Sequence, residues 1–259
     1  MKIFYFTGTG NSLYIAKRLG GELISIPQVL NGEVTVYEDE KIGIIFPTYG
    51  LSVPAIVLDF FGKVKLRSPY IFVIMTCGNN SGDATKWIAS YVKRYGIKIS
   101  YSNCIAMVGN HIPIADIEKE KSLNKHIEES ISDLVEDLKI ERCYIRKGTA
   151  LGPILRNGAK IIKKVTSMDK PINFSVNEHC IKCGTCIKVC PRNNVSYNEV
   201  SEIMFGDTCE SCLSCVNNCP KKAIQVKGDK NPNARFRNSN VSLKEIIDSN
   251  YIIKEELGR

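Results

Sequence analysis

The chain has 259 residues, 44% of them hydrophobic, with 35 Lys and Arg against 27 Asp and Glu and 11 cysteines. That length suits two domains or one large one, and the apolar share supplies a sizeable core, which excludes a disordered chain. No apolar run approaches the ~20 residues that span a bilayer, and Met1–Phe6 enter a strand-like run with no leader. An odd cysteine count without a signal peptide argues against disulfides, so a reducing cytoplasm is the expected location.

Residues 2–6 predict a buried parallel strand that runs into Thr7-Gly8-Thr9-Gly10-Asn11-Ser12. A helical pattern follows through Leu13, Ala16, Lys17 and Leu19, ended by Gly20-Gly21. Strand, Gly/Thr loop, helix is a phosphate-binding order, because the helix start offers free N–H groups and the positive end of its dipole. With no Lys or Arg inside it, the loop is not G-x4-G-K-[ST], and it does not match G-x-G-x-x-G either. Alternation continues with strands over 22–26, 41–46, 70–76 and 98–108 and helices over 53–60, 83–95 and 118–139. Five strands alternating with helices predict an α/β, doubly wound parallel sheet. Three strands end in Pro47-Thr48-Tyr49-Gly50, Cys77-Gly78-Asn79-Asn80 and Gly109-Asn110-His111, the end where such sheets bind ligands.

Residues 141–171 break the pattern at Gly148, Gly152 and Pro153 and predict an inter-domain connection with a basic helix over 154–165. Lys160, Lys163 and Lys164 read as a solvated helix face, so charge alone is a weak argument for nucleic acid. Two cysteine runs follow, C-I-K-C-G-T-C-I-K-V-C-P from Cys180 and C-E-S-C-L-S-C-V-N-N-C-P from Cys209, each spaced C-x2-C-x2-C-x3-C-P. Subtracting Cys180 from Cys209, or Pro191 from Pro220, gives 29 in both cases, so the runs are internal repeats. Ala223–Val226 reads as a closing strand, and Ser242-Leu243-Lys244-Glu245 as a capping box that opens a short helix in a tail.

The cysteine spacing resembles bacterial ferredoxins with two 4Fe–4S clusters, in which the fourth cysteine of each run ligates the other cluster. That assigns Cys180, Cys183, Cys186 and Cys219 to one cluster and Cys209, Cys212, Cys215 and Cys190 to the second. Structural zinc, the alternative, usually shows two CxxC pairs with a longer gap. T-G-T-G-N-S resembles the flavodoxin phosphate loop, and P-T-Y-G and C-G-N-N-S-G resemble the two flavodoxin loops that flank the isoalloxazine ring. With the tail N-A-R-F-R-N-S-N-V-S-L-K-E-I-I, nearly the whole chain resembles the EFR-type flavodoxin–ferredoxin fusion family.

The resemblance implies a flavodoxin-like domain over 1–140, a linker over 141–171, a small α+β two-cluster ferredoxin domain over 172–228 and a tail over 229–259. It implies FMN, its phosphate on Thr7, Gly8, Thr9, Gly10, Asn11 and Ser12 and its ring near Pro47, Thr48, Tyr49, Gly50, Cys77, Gly78, Asn79 and Asn80. Tyr49 would stack on the ring. The loop after Cys77 has no tyrosine or tryptophan, so one ring face is left to a partner, a substrate or the ferredoxin domain. Cys77 reads as a buried small thiol, and His111 as a proton donor or a structural histidine. The formal charge of +8 falls to about +2 once two clusters at roughly −2 each and a phosphate at about −2 are counted. The implied activity is electron transfer between clusters and FMN. It serves either an oxidoreductase that reduces a small-molecule or metal-centre acceptor at the flavin, or a carrier between redox proteins.

Overall fold

The computed structural model describes residues 1–33, 35–112, 115–148, 151, 152, 154, 158 and 173–251. Strands β1 (Lys2–Tyr5), β2 (Glu22–Ser25), β4 (Lys41–Pro47), β6 (Tyr70–Cys77), β7 (Tyr101–Ala106) and β8 (Tyr144–Ile145) form one parallel sheet, ordered β2-β1-β4-β6-β7-β8. Two further strands, β3 (Val36–Glu38) and β5 (Lys65–Arg67), pair with each other beside it. Lys2 sits opposite both Glu22 and Ile42, so the chain leaves β1 in one direction and returns on its other side. This reversal between β1 and β4 opens a crevice at their C-terminal ends.

Period-two patterning sorts the strand side chains into two layers. Phe4, Phe6, Ile44, Phe46, Val73 and Met75 face α3 (Ala55–Lys63) and α4 (Ala84–Tyr91), with α2 (Ile26–Asn31) on the same side. Ile3, Tyr5, Ile45, Phe72 and Ile74 face α1 (Asn11–Leu19) and α6 (Ile127–Lys139). The strands are apolar almost throughout because both faces are covered.

The sheet has six strands where the sequence predicts five. Tyr144–Ile145, inside the segment read as a linker, adds an edge strand opposite Tyr101 and Ser102. The single helix predicted over 118–139 is two, α5 (Ile117–Ser122) and α6. His126 adopts φ 49, and its amide bonds the Asn124 side chain, which breaks the run. The helix predicted over 83–95 ends in a tighter 3-10 turn from Val92 to Tyr95. The basic helix expected over 154–165 falls mostly outside the described residues.

The smaller unit repeats the 29-residue offset in three dimensions. Its strands are β9 (Phe174–Val176), β10 (Val195–Tyr197), β11 (Ile203–Phe205) and β12 (Ile224–Val226), and its helices α7 (Thr185–Lys188) and α8 (Ser214–Asn217). Subtracting β9 from β11, β10 from β12, or α7 from α8 gives 29 each time. β10 pairs antiparallel with β11, and β12 with β9, in matching register. The left-handed residues match as well: Lys182 and Ser211, Gly184 and Leu213, Asn193 and Lys222.

The tail returns to the large sheet. α9 (Leu243–Asn250) buries Ile246 in the layer of α1 and α6, and Ser242 and Glu245 close the capping box. Tyr5 reaches Ser249 at 2.9 Å, and Lys17 reaches Glu245 at 2.6 Å.

Candidate functional site

The loops after β1, β4, β6 and β7 surround a cleft of ≈ 530 Å³. Of the fourteen residues that the flavodoxin resemblance assigns to FMN, twelve line this cleft: Thr7, Gly8, Thr9, Asn11, Ser12, Pro47, Thr48, Tyr49, Gly50, Cys77, Gly78 and Asn79. Gly10 and Asn80 do not. Gly10 shapes the turn instead, at φ 99, with its amide on Thr7 Oγ1 at 3.0 Å. Asn80 holds the next turn through the Gly82 amide at 2.8 Å. His111 lines the cleft, as do Val108, Gly109, Asn110 and residues of α5. Gly109, Asn110 and His111 lie at a strand end that the sequence singles out; no spacing rule announces Val108 or the residues of α5.

The first loop is held from behind by its carbonyls. Thr7 O accepts from Asn250 Nδ2 at 3.0 Å, Gly8 O from Ser214 Oγ at 2.8 Å and Asn218 Nδ2 at 3.1 Å, and Thr9 O from the Asn238 amide at 2.8 Å. The amides of Gly8, Thr9, Asn11 and Ser12 have no acceptor among the described residues. Four backbone donors at the start of a nine-residue helix therefore meet the cleft, the arrangement that holds an anion. The Ser12 hydroxyl lies 3.1 Å from that of Thr76, and Asn110 donates to Thr9 Oγ1. Those hydroxyls brace the loop.

One wall of the cleft belongs to the other unit. Ser211, Cys212 and Leu213 line it. A Cβ on Gly8 would stand 3.0 Å from the Cys212 carbonyl and 3.5 Å from the Tyr49 hydroxyl, so a side chain here would press the two units apart by a few tenths of an ångström. Tyr49 sits beside both the first loop and Cys212, edge-on to Phe6 at 6.2 Å. Burial pushes its phenol well above the usual range, and the neighbouring Cys212 adds to this.

The docking contact is polar, with Glu210 buried and Asp59 exposed. Arg192 bridges Asp59 at 2.7 Å and Glu210 at 2.8 Å, and Glu210 accepts from the Ile56 amide at the start of α3. On the opposite rim, Lys125 bonds Gly78 O, Asn79 Oδ1 and Glu120 Oε2, and the same Glu120 oxygen accepts from the Gly109 amide at 2.9 Å. This pair fastens α5 to the loops after β6 and β7. Cys77 has its sulfur 2.9 Å from that of Cys104, and both are buried; Cys143 is exposed.

The eight motif cysteines line two separate cavities. Cys180, Cys183, Cys186 and Cys219 line one; Cys190, Cys209, Cys212 and Cys215 line the other. Backbone amides point at the sulfurs: Asn194 N to Cys190 at 3.2 Å, Ala223 N to Cys219 at 3.3 Å and Ser211 N to Cys209 at 3.3 Å. The first two are again one repeat apart. Burial pushes the Cys186 thiol up to about 12 and those of Cys212 and Cys215 well above their usual value. Among the described residues no three His, Cys, Asp or Glu side chains converge on a point that would hold a single metal ion.

No helix among the described residues is long and apolar enough to cross a membrane. No curated protein matches the chain. Residues 179–224 match a protein family described as the 4Fe-4S dicluster domain, a span that contains all eight cysteines of both nests, so this part of the chain is an iron–sulfur domain of the electron-transfer kind.

Proposed function

We propose that the chain is an iron–sulfur flavoprotein of the EFR-type flavodoxin–ferredoxin fusion kind. Cys180, Cys183, Cys186 and Cys219 hold one 4Fe–4S cluster, Cys190, Cys209, Cys212 and Cys215 hold the other, and FMN sits in the cleft. The observation that carries this reading is the shared wall: the loop bearing Cys212 closes the cleft formed by the strand-end loops. The sheet order supports it. With β3 and β5 set apart, the first five strands of the large sheet run in the flavodoxin-like order 2-1-3-4-5, with the crevice at the β1/β4 switch point.

The donor sets fit their groups. Four sulfurs around each cavity, without a single-ion convergence, suit a polynuclear cluster. Burial disfavours bare thiolates at Cys186, Cys212 and Cys215, and a cationic iron core would offset that cost. The amides of Gly8, Thr9, Asn11 and Ser12 suit the FMN phosphate. The cleft falls within the ~300–1,000 Å³ range of small-molecule sites. Bound together, clusters and flavin convert single electrons into a two-electron reduction.

The chain's own residues bring the sites together and shield them. Ser214 and Asn218 fix the cluster loop against the first loop, and Glu210 and Arg192 fix it against α3. Leu213, Val195 and Phe205 line the second nest, and Tyr49 lines the cleft beside Cys212. α5 covers the outer rim, with Asp116, Lys119 and His111 at the mouth, where a small acceptor would meet the flavin. Anaerobic purification should give about eight irons and one FMN per chain. Dithionite-reduced protein, mixed with a panel of small electron acceptors, should reduce one of them faster than free FMN does. A preparation rich in iron that takes up no flavin would overturn the reading. If no acceptor is turned over but flavin and clusters exchange electrons, the chain is a carrier between redox proteins.

A further inference from the structure

The two cysteine nests differ in exposure. In the second, Cys190 is buried and Cys212 faces the cleft wall. In the first, Cys183 is exposed, and Ile181 beside it is 58% exposed. Lys182 and Lys221 line this nest. Lys188 ends the helix that carries Cys186, and Lys222 follows Lys221; all four lysines are exposed. None has an ion-pair partner among the described residues. Glu178 is the acidic residue nearest in sequence to Cys180.

This rim is preformed. The Tyr197 hydroxyl donates to Lys182 O at 2.6 Å, and the Thr185 hydroxyl lies 3.3 Å from the Cys183 sulfur. Lys182 and Gly184 hold left-handed φ values of 53 and 71. A partner docking here has little to order, which lowers the entropic cost of binding. An apolar residue and an exposed sulfur ringed by cations match a protein face of opposite charge. A phosphate backbone would leave Ile181 without a contact.

We propose that the Ile181–Cys183 loop, ringed by Lys182, Lys188, Lys221 and Lys222, is the docking face for a one-electron carrier protein whose own redox centre is rimmed by acidic side chains. This deepens the iron–sulfur part of the proposed function and rests on it. One electron leaves the reduced carrier and one is gained at the first nest; no bond or proton changes. The second nest then lies between this port and the cleft.

The test uses the anaerobic holoprotein and, as probe, a fluorescently labelled acidic two-[4Fe–4S] ferredoxin, both oxidised so that binding is read without turnover. Anisotropy titration of the wild type should give a Kd that weakens as salt is raised, because the contact is between exposed charges. Lys182→Glu with Lys221→Glu should raise that Kd about tenfold and flatten its salt dependence. Lys182→Gln with Lys221→Gln, the milder pair, should raise it by less at unchanged iron content. Reduction of the clusters by the methyl viologen radical cation should be no slower in either double variant than in the wild type. Iron-replete variants that bind the ferredoxin as wild type does, or binding indifferent to salt, overturn the docking face and leave the clusters standing. A preparation without an iron–sulfur chromophore sinks the cluster reading, and the docking face with it. Loss of flavin alone leaves the docking face intact.

Discussion

Asn218 shows how a repeat is adapted to an interface. Subtracting 29 from its number leads to Val189, a fully buried apolar residue in the first half. At the second position the amide nitrogen bonds Gly8 O, Ser214 O and Ser214 Oγ at 3.0 to 3.3 Å. The polar residue stands where the second half meets the first loop of the sheet. Asn218→Val restores the residue found one repeat earlier. Gly8 O keeps its bond from Ser214 Oγ, so the loss should cost about 0.5–1.5 kcal/mol of stability, the net range for one hydrogen bond, and lower flavin retention while iron content is unchanged. Denaturant unfolding and cofactor analysis of the same preparation check both. A second residue-scale test concerns Lys125, whose side chain is 4% exposed against 15% for Glu120. Lys125→Met removes one partner of a buried pair and should cost about 3–5 kcal/mol. α5 should loosen, with faster flavin loss from the outer rim, read as the dissociation rate after dilution.

The elements were readable in proportion to their length and periodicity. The apolar run at β6 and the glycine-rich loops at the strand ends announce themselves, and the x2-x2-x3 spacing fixes eight positions at once. Two residues at β8 are too few to carry a pattern, so the sixth strand was invisible. The break between α5 and α6 depends on a left-handed His126, a conformation that no periodicity encodes. The twelve cleft residues are local to their loops and were legible; Ser211–Leu213 were not, because their place in the cleft comes from docking across units. The tail helix was legible through its capping box, and it tests element-scale energetics. Ser242→Ala removes the cap and should cost about 1 kcal/mol, seen as faster hydrogen exchange over Leu243–Asn250. The adjoining ion pair adds a pH dependence. Lys17 first, and then the Ser242 amide, hold the Glu245 carboxyl at about 2 against its ordinary 4.5. A depressed carboxyl stabilises the helix fully above 4.5, and this support fades as the pH falls towards 2. Exchange in the tail of the metal-free chain should rise across that window in the wild type and not in Glu245→Gln.

At the scale of the molecule, the two units depend on each other unequally. The sheet has its own double-layered core, with Phe4, Phe46 and Phe60 on one face and Ile3, Phe72 and Ile131 on the other. The iron–sulfur unit has a small core, Val195, Leu213, Val216 and Ile224 among its members, which it shares with Ile112 and Ile117 of the sheet unit and Phe236 of the tail, and four cysteines line each of its two cavities. So few apolar side chains cannot hold two pairs of three-residue strands and two four-residue helices without metal. Loss of iron should therefore unfold residues 173–228 first. The consequence crosses the interface, because Ser211–Leu213 are a wall of the cleft and Ser214 and Asn218 hold Gly8 O. Chelating the iron under native conditions should release flavin in step with the loss of cluster absorbance, while the far-ultraviolet signal of the sheet persists. The converse should fail: removing flavin by dialysis at high salt should leave both clusters and the Arg192–Asp59 bridge in place. Flavin that stays bound and quenched after complete iron loss would show that the strand-end loops alone form the site, and that the shared wall contributes nothing to it.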